Sequence, residues 1–314
     1  MLRLRACVIV YREGVDVIGD LLNEVRARGE VFCRSPASPP WSLRFAARAP
    51  LSLATMVHGE AWVVPAGGEA RLLRPGDVAL VRGDRPFVIA DSPGTPPRRV
   101  VHGEDRGGEV GELDQGVRAG GGCLLVTGAY QLGGELSQRL LDVLPRVLVV
   151  PGGDVLLGPP LELVCAEVNG SAPGRQVVLD RLLDVLLVVA LRAWFAREEA
   201  DAPSWYAALS DPRIGRALRM IHDAPAAGWT VVALADAVGM SRAAFARRFT
   251  ALVRQPPLAY VTEWRMALAA DLLARRETTV AAAARQVGYA DAFGFSAAFK
   301  RVRGVSPSTL RLPG

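Results

Sequence analysis

Val280-Ala281-Ala282-Ala283-Ala284-Arg285-Gln286-Val287-Gly288-Tyr289 repeats, with changes, the earlier stretch Val231-Val232-Ala233-Leu234-Ala235-Asp236-Ala237-Val238-Gly239-Met240-Ser241. In each, an alanine (Ala235, Ala284) precedes a glycine (Gly239, Gly288) by four residues, with a valine just before the glycine. Each glycine leads into an amphipathic segment with two phenylalanines four apart, Phe245 and Phe249, then Phe295 and Phe299. The second turn is one residue longer. The pattern has a physical cause. Where two helices cross tightly through a short turn, the crossing residue of the first must be small. The turn residue must take a left-handed backbone, which glycine does at little cost. The phenylalanines hold the second helix to the core and leave its other face outward. Two such units, about 231–252 and 280–303, are joined by a predicted helix Leu258–Arg275. They make the C-terminal part an all-α domain with two helix-turn-helix motifs, whose outward helix faces are shaped for the DNA major groove.

Charge follows the same division. Residues 205–314 carry fifteen Arg and Lys against seven Asp and Glu, whereas residues 1–204 carry twenty-two against twenty-five. The formal net charge of +5 therefore hides a basic back part that suits a polyanion. Lys300 is the only lysine, so the positive face is almost all arginine, whose planar fork matches phosphates and guanine edges.

With 314 residues, half of them hydrophobic, the chain is long enough for about two well-packed domains. The longest apolar run, Val185–Leu191, has seven residues, far below the ~20 of a membrane span. Arg3, Arg5, Arg12 and Glu13 interrupt the N-terminus too soon for a secretory signal. The expectation is a cytoplasmic, nucleoid-associated protein without membrane contact. Cys7, Cys33, Cys123 and Cys165 show no CxxC spacing, so neither a disulfide framework nor a zinc motif is expected. P-loop, GxSxG and dinucleotide patterns are absent.

Ahead of the repeat, residues 16–28 place Val17, Ile18, Leu21, Leu22 and Val25 on one face of a predicted helix; Met1–Val15 stays unassigned. From about Phe32 to Thr127 the grammar is of short strands: Trp41–Phe45, Ser52–His58, Glu60–Pro65, Glu69–Leu73, Asp77–Val81 and Pro86–Ala90. Gly67-Gly68 reads as a hairpin turn, and Ser92–Pro97 and Gly103–Gly122 as loops. So many short strands predict a β-barrel or jelly roll. Helices follow over Glu135–Leu144 and about Gly174–Ala200. The second is apolar on more than one face, and its Leu182–Trp194 stretch is the expected homodimer surface. Ala202–Ala207 reads as linker, and Asp211-Pro212 as the cap and first turn of a new helix. The fold class is thus α+β, with a strand-rich domain that carries the expected dimer surface over 1–201, a linker over 202–210 and a DNA-binding domain over 211–314.

Over Asp211–Leu310 the chain resembles the AraC/XylS family of transcriptional regulators. The resemblance lies in the Asp-Pro-Arg-Ile opening, the first helix-turn-helix, Pro256-Pro257-Leu258-Ala259-Tyr260 with Trp264-Arg265-Met266, Gly288-Tyr289, and Phe299-Lys300-Arg301 with Gly304-Val305-Ser306-Pro307. The front part resembles a cupin-type sensor domain in Val57–Trp62, Leu73–Val78, Val81–Phe87, Thr127-Gly128-Ala129-Tyr130 and Leu182–Phe195.

The resemblance implies base readers early on each recognition helix. In the first these are Ser241 as cap with Arg242, Ala243, Ala246 and Arg247; Arg248 is directed to phosphates or acidic neighbours. In the second they are Ala292, Phe293, Ser296 and Ala297, with Lys300, Arg301 and Arg303 on phosphates. Ala297 stands where the family usually carries a long polar side chain. The implied partners are double-stranded promoter DNA, a small-molecule effector, RNA polymerase and a second copy of the chain. Trp41, Phe45, His58, Trp62, Phe87 and Tyr130 are the candidate effector residues, and Cys33 is the redox candidate. Cupin enzymes hold a metal with two or three His and a Glu. This chain has three histidines, and His222 lies in the DNA-binding part, so no metal or cofactor is expected. A metal-dependent cupin enzyme fused to a DNA-binding domain is the alternative.

Overall fold

The structure is a computed structural model that describes residues 27–33, 39–46, 49–83, 85–101, 123–131, 135–197, 204–274 and 278–310. Met1–Val15, most of the predicted 16–28 helix, His102 and the Gly103–Gly122 loop lie outside them. The chain divides into two compact units, one reaching to Ala202 and the other containing Pro203–Gly314.

In the front unit the described strands are β1 (Ala27–Cys33), β2 (Ser42–Phe45), β3 (Leu51–His58), β4 (Ala61–Pro65), β5 (Arg71–Leu73), β6 (Val78–Arg82), β7 (Phe87–Ala90), β8 (Arg99–Val101), β9 (Leu124–Tyr130) and β10 (Val147–Val150). They form two five-stranded sheets, β1-β9-β3-β6-β10 and β5-β4-β7-β2-β8. Among the described residues there is no closed barrel; the front unit is a two-sheet sandwich. Ala27 and Arg28, placed by periodicity at the end of a helix, instead open β1, where β9 supplies their hydrogen-bond partners.

Alternation assigns the faces. Ala54, Met56, Ala79, Val81 and Leu125 of the first sheet meet Trp41, Phe45, Ala61, Val63, Phe87 and Ile89 of the second. Phe45 and Phe87 lie opposite each other in register, their rings stacked with centroids 4.9 Å apart. On the other face of the first sheet Leu51, Leu53, Val78, Leu80, Val126 and Tyr130 are at most 1% exposed. A sheet buried on both faces needs a second cover, and helices α1 (Glu135–Val143), α2 (Gly158–Asn169) and α3 (Arg175–Phe195) follow in the chain. Tyr130 Oη donates to the Leu183 carbonyl of α3 at 2.7 Å, and Arg197 Nη1 donates to Val149 O at 3.3 Å. Burial, and then the Asp184 carboxylate, push the Tyr130 phenol well above its ordinary range, so it stays a donor.

The second unit is helical: α4 (Ser204–Ala208), α5 (Ile214–Asp223), α6 (Val231–Ala237), α7 (Arg242–Val253), α8 (Pro257–Ala274), α9 (Val280–Gln286) and α10 (Ala292–Arg303), closed by a 3₁₀ turn at Pro307–Leu310. Part of the stretch read as linker is therefore helical, and Ser204 Oγ donates to Val253 O at 3.0 Å. Five residues are too few for a periodic signal. The Asp211 carboxylate accepts from Arg213 N and Ile214 N at 3.0 and 2.9 Å, so it caps as expected, though regular helix begins only at Ile214.

The repeat is built alike in both copies. Thr230, Ser241, Thr279 and Asp291 cap α6, α7, α9 and α10 with side-chain oxygens. Gly239 and Gly288 have φ of +65° and +85°. Met240 N donates to Ala235 O and Tyr289 N to Ala284 O, both at 2.9 Å. Phe245, Phe249, Phe295 and Phe299 are fully buried. Behind α7 the rings continue: Phe249 meets Tyr260 edge-on at 5.8 Å, and His222 lies 4.0 Å from the Trp264 ring. His222 Nε2 and Tyr260 Oη share a hydrogen bond of 2.6 Å.

Two outcomes follow. Tyr130→Phe should lower the unfolding free energy of the front unit by about 1 kcal/mol, the loss of one buried hydrogen bond. An unchanged urea midpoint would show that the hydroxyl does not hold α3. Burial pulls the His222 imidazole down to about 3, while in the unfolded chain it titrates near 6.5. The unfolded state therefore gains a proton that the folded state refuses, so stability is full above pH 6.5 and falls toward pH 3. The second unit should lose roughly 1 kcal/mol per pH unit across that window relative to His222→Phe. Parallel pH profiles for the two proteins would contradict this.

Candidate nucleic-acid interface

The first recognition helix, α7, turns Phe245 and Phe249 inward, which leaves Ala243 and Arg247 on the opposite side and Arg242 and Ala246 nearer the packed side. Arg242, Ala243 and Arg247 are exposed and Ala246 is half-buried. Ser241 Oγ accepts from Ala244 N at 3.3 Å and fixes where the helix starts. Arg242 therefore stands in the first turn, and Arg247 about 1.4 turns further on, roughly 140° around the helix from it.

Arg248 behaves differently from its neighbours. Its Nε and Nη2 donate to Asp211 Oδ2 at 2.9 and 2.5 Å. Burial raises the Asp211 carboxyl, but Arg248 and the two backbone N–H groups outweigh it and hold the acid below its ordinary value. Arg248, expected among the DNA contacts, is thus engaged by Asp211 and ties α7 to the start of α5. Of the two roles the sequence allowed it, the acidic neighbour has taken it.

The second recognition helix, α10, presents a different surface. Phe293 is 87% exposed in the first turn. Ala297 is exposed and Ala292 half-buried. The Ser296 hydroxyl donates back to Ala292 O at 2.7 Å, so its proton is already used within the helix. Lys300 and Arg301 reach solvent. Arg303 does not follow the phosphate expectation: it is half-buried, with Nε and Nη2 shielded from water, and desolvation lowers its pKa. The cause is its position at the C-terminal end of α10, on the side that turns toward the core.

The candidate effector residues of the front unit do not converge. Trp41, Phe45 and Phe87 lie inside the sandwich. Trp62 alternates with the inward Ala61 and Val63, so it sits half-buried on the outer face of β4. Tyr130 lies on the outer face of the first sheet, under α3. His58 is exposed at the end of β3. Cys33 ends β1, and its side chain lies outside the described residues. Burial, with Glu162 nearby, pushes the half-buried Cys165 thiol up. Among the described residues no three His, Cys, Asp or Glu side chains come close enough to hold a metal. No described helix is long and apolar enough to cross a membrane.

Residues 16–196 match the Cupin family, and residues 234–312 match the family described as Helix-turn-helix domain. A protein of Streptomyces lividans described as an AraC-like transcription regulator is 31% identical over 304 residues, 95% of this chain and 98% of that protein. The HTH-type transcriptional regulator AlkR of Acinetobacter baylyi is 27% identical over 95% of this chain and 99% of its own. The C-terminal domain of AraT, a response regulator from Geobacillus stearothermophilus, is similar at 29% identity over 32% of this chain and 84% of that domain, with a TM-score of 0.31.

Proposed function

This chain belongs to the family of AraC-type DNA-binding transcriptional regulators with a cupin front unit, and on that premise we propose that it reads promoter DNA unequally with its two recognition helices. The observation that carries the proposal is the contrast between Arg242 and Arg247 on α7 and Phe293 and Ala297 on α10. Helix α8 has 18 residues, about 27 Å long, so the flanking recognition helices are spaced for two major-groove segments about one DNA turn apart. Arg242 and Arg247 can fork onto guanine O6 and N7. Phe293 and Ala297 offer only apolar contact, which among base edges suits the thymine methyl. Lys300 and Arg301 hold the second segment by its phosphates, which gives affinity without sequence.

Upstream, the reading is a sensor that takes a small organic effector or a redox signal. The cupin match and the aromatic interior around Trp41, Phe45 and Phe87 support it. A second copy of the chain is the further partner. Val178 and Val185 are 42% and 48% exposed along one side of α3, with Leu182 and Val189 half-buried between and beyond them. An apolar stripe of this kind favours a like surface over water. Contact with RNA polymerase completes the proposed set.

Selection of binding sites from a random DNA pool tests the reading. It should recover two segments about 10 base pairs apart, with more base information in the one read by α7. Arg247→Ala should weaken binding by about 1–3 kcal/mol and relax base preference there. Arg301→Ala should weaken all sequences alike and flatten the salt dependence. Equal information in both segments would refute the asymmetry. Val185→Glu should turn a dimer into a monomer in light scattering at micromolar concentration; an unchanged mass would move the dimer surface elsewhere.

A further inference from the structure

The two turn glycines are equivalent in sequence but not in surroundings. A Cβ on Gly239 would meet nothing within 4 Å. A Cβ on Gly288 would lie 2.6 Å from Ala226 O and 2.7 Å from Ala226 Cα. Ala226 belongs to the loop between α5 and α6, which leads directly into the first helix-turn-helix unit, while Gly288 is the turn of the second. The second unit's turn therefore rests directly on the loop that leads into the first. With φ at +85°, Gly288 is demanded twice, by its backbone and by its neighbour.

The same loop is gripped from α8. Arg265 Nε donates to Pro225 O and Arg265 Nη2 to Ala227 O, both at 2.7 Å. These carbonyls flank Ala226, so the guanidinium fork holds the residue on which Gly288 rests. The loop is also tied to itself: Ala227 N donates to Ala224 O at 3.0 Å, and Trp229 Nε1 to the same carbonyl at 2.8 Å. Three elements thus meet within a few residues: the loop that leads to α6, the connecting helix α8, and the turn that leads to α10. Gly288 stands three residues ahead of Asp291, whose carboxylate caps α10.

We infer that this junction fixes the distance and rotation between the two recognition helices, so that Arg265 and Gly288 are positioning residues that set which spacing of DNA segments the protein accepts. The connecting helix alone ties the two units along one rod. The loop adds a second, independent tie, and two ties remove the rotation that one rod leaves free. One base pair more or less between segments moves the second by about 3.4 Å and about 35° around the duplex, which a rigid pair of helices does not follow. The inference rests on the two-segment DNA reading proposed above.

The test uses the full chain and a duplex recovered by it from a random DNA pool, with single base pairs then inserted or deleted between the two segments. The natural protein should bind the altered spacings about tenfold or more weakly, comparable to a mismatched base pair. Arg265→Gln and Gly288→Ala should each compress that ratio to about threefold or less, and the two changes together should compress it little further, since both act on one junction. Should Arg265→Gln melt before binding is measured, Arg265→Lys serves the same purpose, because a point charge cannot span both carbonyls with a planar fork. Folded variants that bind more weakly at every spacing but keep the tenfold preference would show that the junction only stabilises the fold, and would overturn the inference. Failure to recover any two-segment site would remove the DNA reading itself, and this inference with it.

Discussion

Everything in the DNA-binding unit hangs on α8, because the two helix-turn-helix units bury their aromatic faces against it. On one side Phe249, Tyr260, Trp264 and His222 form a continuous run of ring contacts. On the other, Met266, Ala269, Ala270 and Leu273 share a core with Ala283, Ala284, Phe295 and Phe299. A recognition helix can present an ordered face to DNA only if its other face is immobilised, and four buried phenylalanines supply that immobilisation. The helix between them converts two local motifs into one object with a defined separation.

The basic composition of this half overstates its DNA-facing charge. Arginines here do at least three kinds of work. Arg248 is held by Asp211, Arg265 by two loop carbonyls, and Arg303 is half-buried. Arg242, Arg247 and Arg301 reach solvent on or beside the recognition surfaces, and Arg248 is exposed as well but holds Asp211. A guanidinium is well suited to the inner roles. It never loses its proton under physiological conditions, and its fork satisfies two acceptors at once, as at Pro225 and Ala227.

The front unit divides its aromatics by strand alternation. Phe45 and Phe87 stack in the sandwich interior, whereas Tyr130 serves the contact with α3. One sheet carries two buried faces and the other carries one, so the first is the structural spine. The second sheet, with Trp62 half-buried on its outer side, is the less constrained of the two. A ligand that alters the packing of the interior rings would be felt by the spine, because Met56 and Leu125 share that cluster with Phe45 and Phe87.

Local constraints were legible in the sequence. The four-residue spacing of Ala235 and Gly239, and of Ala284 and Gly288, follows from helix pitch and left-handed backbone geometry, and so do the paired phenylalanines. The caps at Ser241 and Asp211 are contacts within three residues of the chain. Short strand-like runs marked β2 to β7 within a residue or two. What only the tertiary structure decided involves partners distant in sequence. The closing of β1 on β9 instead of continuing a helix, the division into two sheets, and the turning of Tyr130 away from the interior are of this kind. So is each arginine's fate. Arg247 and Arg248 are adjacent and chemically identical, yet one meets water and the other Asp211, 37 residues away. A side chain's type and spacing are properties of the chain, whereas its partner is a property of the packing, since a 100° step around a helix is enough to exchange solvent for a carboxylate.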